Sequence, residues 1–198
     1  MLEGFCEEVM GIYRLRIPFD TVYTSVFLIT DENRNILVDC ATTSYDVDTY
    51  IVPALKAMGL ELSNIDTIVI SHGHNDHAGG LEQILSLAPD IRVVRDAMSL
   101  GNGISTYSLA GHTIDCIGLL DERTNTLITT DGLQGAGVDK YRCSLKDTDA
   151  YLKTIEKIRS DERVCNLLFS HAYEPWYSDR AIGRKEVIAR LTDCIDVL

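Results

Sequence analysis

The sequence predicts an α/β protein assembled from two mixed β/α halves, and three observations predict it. The opening segments alternate apolar and polar side chains at the strand period. Segments with helical spacing then alternate with strands in both halves of the chain. Short, wholly apolar runs such as Thr67-Ile-Val-Ile70 mark strands covered on both faces. Two sheets, each covered by helices on one face and packed sheet on sheet, give a four-layer αββα sandwich. The periodicity alone fits a three-layer doubly wound sheet as well.

The elements follow in order. Ile12 to Ile17 alternates, Thr21 to Thr30 is β-branched and aromatic, and both read as strands. A turn at Asp31-Glu-Asn-Arg-Asn35 leads into a third strand, Ile36-Leu-Val-Asp-Cys40. From Asp46 to Gly59, Val47, Ile51, Leu55 and Met58 recur at helical spacing, and Gly59 supplies a C-terminal stop. The buried strand Thr67 to Ile70 ends at Ser71-His72; Leu81 to Leu87 is a short helix and Ile91 to Val94 a strand. In the second half Tyr107 to Leu109, Ile114 to Leu120, Leu127 to Thr130 and Val164 to Phe169 read as strands. A hairpin turn falls at Asp121 to Asn125, and Gly101-Asn-Gly103 is a turn. Asp149 to Ile158 is a helix, and Ser178 to Leu198 reads as a closing amphipathic helix with Ser178 as its N-cap.

The chain's 198 residues, 45% of them hydrophobic, suffice for one domain over 1–198 with its own core. Eighteen basic against thirty acidic residues leave a net charge of −12, which repels phosphate backbones and anionic membrane surfaces. The expected partner is therefore a small-molecule substrate, not nucleic acid or a membrane. Six scattered cysteines form no C-x-x-C pair and no disulfide framework, so they read as small buried hydrophobes. No basic start with an apolar run opens the sequence, and a cytoplasmic protein is expected.

The chemistry concentrates in the histidines. There are five, and three fall in Ser71-His-Gly-His-Asn-Asp-His-Ala-Gly-Gly80, an H-x-H-x-D-H motif directly after the buried strand. In extended backbone, residues two apart point the same way, so His72, His74 and Asp76 converge, and a following turn swings His77 to a second position. Three imidazoles and a carboxylate crowded at neutral pH have no ordinary structural use and read as metal ligands. Four local ligands exceed what one catalytic zinc with an open position takes, which suggests two ions. His112 in a Gly turn, Asp131 after the strand Leu127 to Thr130, and His171 at the end of another strand stand where α/β sheets place their sites. Taken singly, His112 and His171 read more readily as surface or hydrogen-bonded residues, and Asp131 as a turn or N-cap residue.

H-x-H-x-D-H with Ala-Gly-Gly, then Gly-His-Thr, then an Asp ending a strand, then Ser-His, resembles the metallo-β-lactamase-fold hydrolase superfamily over about Tyr23 to His171. The resemblance implies an αββα sandwich of two mixed sheets flanked by helices. It implies two divalent ions, zinc foremost, with iron or manganese as alternatives. His72, His74 and His112 would hold the first, and Asp76, His77 and His171 the second. Asp131 would bridge both, and Asp39 would act as a supporting carboxylate. Asp76 and Asp131 would be the catalytic carboxylates that orient the attacking water.

His77 and an Asp rather than a Cys at 131 distinguish the motif from that of true β-lactamases, and His74 from that of flavodiiron proteins. What remains resembles hydroxyacylglutathione hydrolases and lactonases, which implies cleavage of a small ester, thioester, lactone or phosphodiester. The alternative is a mononuclear iron oxidoreductase of persulfide dioxygenase type. Lys140, Tyr141 and Arg142, a compact basic patch behind the glycine-rich loop Gly132 to Val138, are candidate contacts for an anionic substrate group. Tyr173, in the aromatic segment Ala172-Tyr-Glu-Pro-Trp-Tyr177, is a further candidate contact.

Overall fold

The computed structural model describes residues 4–32, 34–135, 144–196 and 198. The chain folds as two compact units, one reaching to Arg95 and the other starting at Asp96.

The first unit holds a six-stranded mixed sheet in sequential order. Strands β1 (Cys6–Val9), β2 (Ile12–Phe19), β3 (Val22–Thr30) and β4 (Asn35–Val38) form an antiparallel meander. Strands β5 (Thr67–Val69) and β6 (Arg92–Val94) then add in parallel. Parallel addition needs crossover connections, and helices provide them. The first crossover runs through α1 (Ser44–Asp46), a π-helical stretch Val47–Ile51 and α2 (Val52–Ala57). The second runs through α3 (Asn75–Ala78) and α4 (Leu81–Leu87). Val47, Ile51, Leu55 and Ile84 from these helices pack with Leu15, Val26, Leu28, Leu37 and Ile68 in one core cluster. The period of two puts Val69 on the face opposite Ile68, and both are fully buried, as the apolar run predicts. Gly59, at φ 77°, follows the end of α2 where a left-handed residue is needed.

The second unit has its own mixed sheet, in the order β12-β11-β10-β9-β8-β7. Strands β7 (Ser99–Gly101), β8 (Ile104–Ser108), β9 (Ile117–Asp121) and β10 (Thr126–Thr130) again form a meander. Helix α5 (Thr148–Ser160) crosses over to β11 (Asn166–Tyr173), parallel to β10, and β12 (Ser178–Ile182) returns antiparallel. Helix α6 (Arg184–Asp196) closes the chain. Ile155 and Ile158 of α5 and Val187 and Leu191 of α6 cover Leu120, Leu127, Leu167 and Phe169. Each unit thus solves the same problem with a meander followed by helix-bridged parallel strands.

Several sequence expectations are corrected here. The closing helix begins at Arg184 because Ser178–Ile182 pairs with β11 in register Leu167 to Ala181 and Leu168 to Arg180. Its apolar spacing suits both elements, and the free edge of β11 decides. Ile114 lies outside β9 and is 72% exposed. Strands β1 and β7 are short and mostly exposed, and their patterns carry too little contrast to read. Cys40, Cys116 and Cys194 are buried as expected, but Cys6 is exposed and Cys165 only partly covered.

One consequence concerns pH. The Tyr107 hydroxyl donates to Asp161 Oδ2 at 3.3 Å. Burial and the adjacent Asp161 charge push its ionisation above the ordinary phenol range. The neutral phenol is therefore favoured by folding. Its contribution is present in full below about pH 10 and is lost as pH rises through the folded value. Alkaline denaturation followed by circular dichroism is expected to show stability falling above pH ~10, and Tyr107→Phe is expected to flatten that fall. The variant keeps the ring beneath Lys157, whose Nζ lies 3.7 Å from the ring centroid. An unchanged slope would contradict the assignment.

Candidate metal centre

In the first unit the site is built at the ends of parallel strands. After β4 the chain turns through Asp39 at φ 65° and Ala41 at φ 59°, left-handed conformations that cost free energy in residues other than glycine. The turn aims a fully buried carboxylate at the segment leaving β5. Asp39 Oδ1 accepts the Ser71 amide at 2.8 Å, and Oδ2 accepts the Ser71 hydroxyl at 2.9 Å. The same Oδ2 lies 2.7 Å from His77 Nδ1. The Ser71 hydroxyl in turn lies 3.0 Å from His72 Nδ1.

His74 is the extended N-cap residue of α3, and Asp76 and His77 lie within that helix. This modifies the expectation that His72, His74 and Asp76 converge. The helical turn instead pairs Asp76 with His77, whose Oδ2 and Nε2 are 3.3 Å apart. His72 Nε2 meets His74 Nδ1 at 3.0 Å. His72 and His77 are buried, whereas His74 is exposed. Gly79 and Gly80 let α3 and α4 approach residues 40–42 closely. A Cβ at Gly79 would stand 1.9 Å from the Thr42 carbonyl oxygen, and one at Gly80 would stand 2.2 Å from that of Cys40.

In the second unit three further ligand-type residues lie together. Asp131 follows β10, directly after Thr130, which is held at φ 49°. Its Oδ1 accepts the Tyr173 hydroxyl at 3.0 Å and lies 3.3 Å from His171 Nε2. His112 Nε2 is 3.7 Å from Asp131 Oδ2. On the far side of the His112 ring, Nδ1 lies 2.6 Å from the Ser144 carbonyl oxygen, to which it is placed to donate. Gln134 Nε2 is 3.1 Å from the same nitrogen, and its Oε1 accepts the Ser144 amide at 2.9 Å.

Gln134 was not singled out by sequence, although a polar side chain among glycines and apolar residues was the available signal. It is buried, its backbone amide donates to the Tyr151 hydroxyl and its backbone carbonyl accepts from it, both at 3.0 Å, so the start of the glycine-rich loop is anchored. Lys140, Tyr141 and Arg142 lie outside the described residues. Tyr173 is also buried, with its hydroxyl on Asp131. Trp176 stacks on Phe169 and donates to Asp193 of α6, so it packs the last helix.

The chemistry of this donor set fits a metal. Two ligand atoms about 2.1 Å from one tetrahedral cation stand roughly 3.4 Å apart. The pairs within each unit, at 3.0, 3.3, 3.3 and 3.7 Å, lie around that value. In His72, His77 and His112 the Nδ1 atom faces a hydroxyl, carboxylate or carbonyl oxygen. That leaves Nε2 as the lone-pair atom, the arrangement in which a remote partner orients a ligating imidazole.

Comparison with known proteins agrees with this geometry. Residues 19–97 match the family model described as the metallo-beta-lactamase superfamily. The chain is 27% identical over 164 residues to the beta-lactamase-like protein 2 homolog of Drosophila melanogaster, covering 68% of this chain and 54% of that protein. It is 24% identical over 143 residues to the thioesterase pkgB of Emericella nidulans, covering 62% and 41%. The chain thus spans about half the length of the curated relatives it matches. Among solved structures, the mono-zinc form of the metallo-beta-lactamase FIM-1 from Pseudomonas aeruginosa superposes with a TM-score of 0.73 at 13% identity. That match covers 98% of this chain and 95% of the other, and shows the fold. With two mixed six-stranded sheets and flanking helices, the chain has the metallo-beta-lactamase fold, and its residues 19–97, which carry the H-x-H-x-D-H motif, match the model of the metallo-beta-lactamase superfamily.

Proposed function

We propose that the chain is a metal-dependent hydrolase of a small ester or thioester, with lactones and phosphodiesters as further candidate substrates. His72, His74 and His112 hold one divalent ion and Asp76, His77 and His171 a second; Asp131 serves both, and zinc is the expected metal. The observation that carries this reading is the set of ligand-type atoms paired at 3.0 to 3.3 Å while the Nδ1 atoms of His72 and His77 face Ser71 and Asp39. The thioesterase relative favours a thioester.

Divalent ions at such a site supply a water of lowered pKa and a Lewis acid for the carbonyl under attack. The chain's own residues do the rest. Asp39 holds His77 directly, the Ser144 carbonyl holds the His112 ring while Gln134 Oε1 accepts the Ser144 amide, and Tyr173 fixes one oxygen of Asp131. Within their own units His72, His77, His112, Asp131 and His171 are buried, and His74 is exposed. With a net charge of −12, the substrate is a small molecule and not a nucleic acid. Among the described residues no helix is long and apolar enough to cross a membrane. Five described cysteines are free thiols, which suits a reducing cytoplasm.

Metal analysis of protein purified without added metal tests the reading, together with a panel of thioesters, lactones and phosphodiesters. About two zinc per chain and metal-dependent thioester cleavage is the expected result. One iron per chain with oxygen consumption would instead identify the persulfide dioxygenase type, and absence of any bound metal would overturn both.

A further inference from the structure

Asp39 and Ser71 form a more economical support than pairwise contacts require. The Asp39 carboxylate receives three donors: the Ser71 amide at 2.8 Å, the Ser71 hydroxyl at 2.9 Å and His77 Nδ1 at 2.7 Å. A hydroxyl has one proton, and Ser71 spends it on Asp39 Oδ2. Its oxygen can then face His72 Nδ1, 3.0 Å away, only as an acceptor. That fixes the proton of neutral His72 on Nδ1 and the lone pair on Nε2, the atom 3.0 Å from His74 Nδ1. His72, His77, Ser71 and Asp39 are all buried, so water does not compete for these bonds.

We propose that Ser71 is a positioning residue that extends the hold of the Asp39 carboxylate to a second imidazole. One buried side chain thereby sets the tautomer of both His72 and His77. The two histidines belong to different ions in the proposed function, on which this part of the inference rests. Asp39 therefore supports both ions, directly for one and through Ser71 for the other. The consequence is an asymmetry. Losing the Ser71 hydroxyl disturbs the ion held by His72 and leaves the direct Asp39 to His77 bond in place, whereas neutralising Asp39 disturbs both.

The test has two arms. In metal-free protein at about pH 8, above the ordinary imidazole pKa, two-bond proton–nitrogen NMR reads each tautomer. Wild type is expected to show His72 protonated on Nδ1. Ser71→Ala is expected to shift His72 toward a mixture of tautomers with His77 unchanged, and Ser71→Thr, which keeps the hydroxyl, to restore the wild-type pattern. In the second arm, zinc is titrated against a competing chelator. Ser71→Ala is expected to weaken one zinc about 10- to 100-fold and leave the other unchanged, while Asp39→Asn weakens both.

An unaltered His72 pattern in Ser71→Ala overturns the proposal, as does equal weakening of both ions. If wild type binds no zinc while the His72 pattern still responds to Ser71→Ala, the metal reading fails and the Ser71 hold stands. Should Ser71→Ala not fold, Ser71→Cys, a similar-sized side chain with a weaker donor, is expected to shift His72 in the same direction by less.

Discussion

Replacing Asp131 by Asn is expected to lower kcat/KM on a responsive thioester by about 10²- to 10³-fold or more, the size seen when one preorganised charge-stabilising group is lost. Both carboxylate oxygens are engaged within the second unit. Oδ1 serves the Tyr173 hydroxyl at 3.0 Å and His171 Nε2 at 3.3 Å, and Oδ2 lies 3.7 Å from His112 Nε2. Asn keeps the shape and one acceptor oxygen but removes the charge that would hold the cation of the proposed function. Bound metal should fall along with turnover, while the folded structure should persist because Tyr173 can still donate. Asp131→Ala adds the loss of that acceptor, which costs about 1–3 kcal/mol of stability. Comparing the two by steady-state kinetics, metal content and thermal melting separates charge from packing. An Asn variant that retained its metals and its full rate would remove Asp131 from the centre.

Gly79→Ala is expected to be the most destabilising conservative change in the first unit. The Gly79 backbone is ordinary helix, at φ −68°, so strain is not the reason; space is. The new methyl would stand 1.9 Å from the Thr42 carbonyl oxygen and 2.6 Å from that of Asn75. Backbone cannot yield as a flexible side chain does, so the cost sits at the upper end of overpacking, about 3 kcal/mol. For a chain of this size that lowers Tm by roughly 6–12 °C. The shift would also reach the site, because the Cys40 amide donates to the His77 carbonyl at 2.8 Å across the same contact. Gly73→Ala is the control. It lies between His72 and His74, yet nothing stands within 4 Å of where its Cβ would lie, and its Tm should stay close to that of the parent. Equal melting of the two variants would refute the close-approach argument.

Much of this was legible in the sequence because the relevant signals are local. The alternation over Ile12 to Ile17, the apolar run Thr67 to Ile70 and the spacing of Val47, Ile51 and Leu55 each report burial at one period. The structure places strands or helical backbone there. The H-x-H-x-D-H cluster was legible for the same reason, as six consecutive residues with no structural use for so many ligands. The pairing of Asp76 with His77 was not, because it depends on where α3 begins, and His74 serves as an extended N-cap without any side-chain signal of one.

Partners distant in sequence had no local signature at all. Ser71 is 32 residues from Asp39, and Gln134 is 22 from His112; only folding brings them to hydrogen-bond distance. The segment Ser178 to Ile182 shows the same limit from the other side, since its composition suits a helix until the edge of β11 offers backbone partners. By itself, then, the sequence determined which segments are buried, at which period, and where ligand-type side chains cluster, because those properties are written in neighbouring residues. The tertiary structure decided which nitrogen of His77 and of His112 is held and which is left to bind. That choice is made by Asp39 and Ser144, hydrogen-bond partners dozens of residues away.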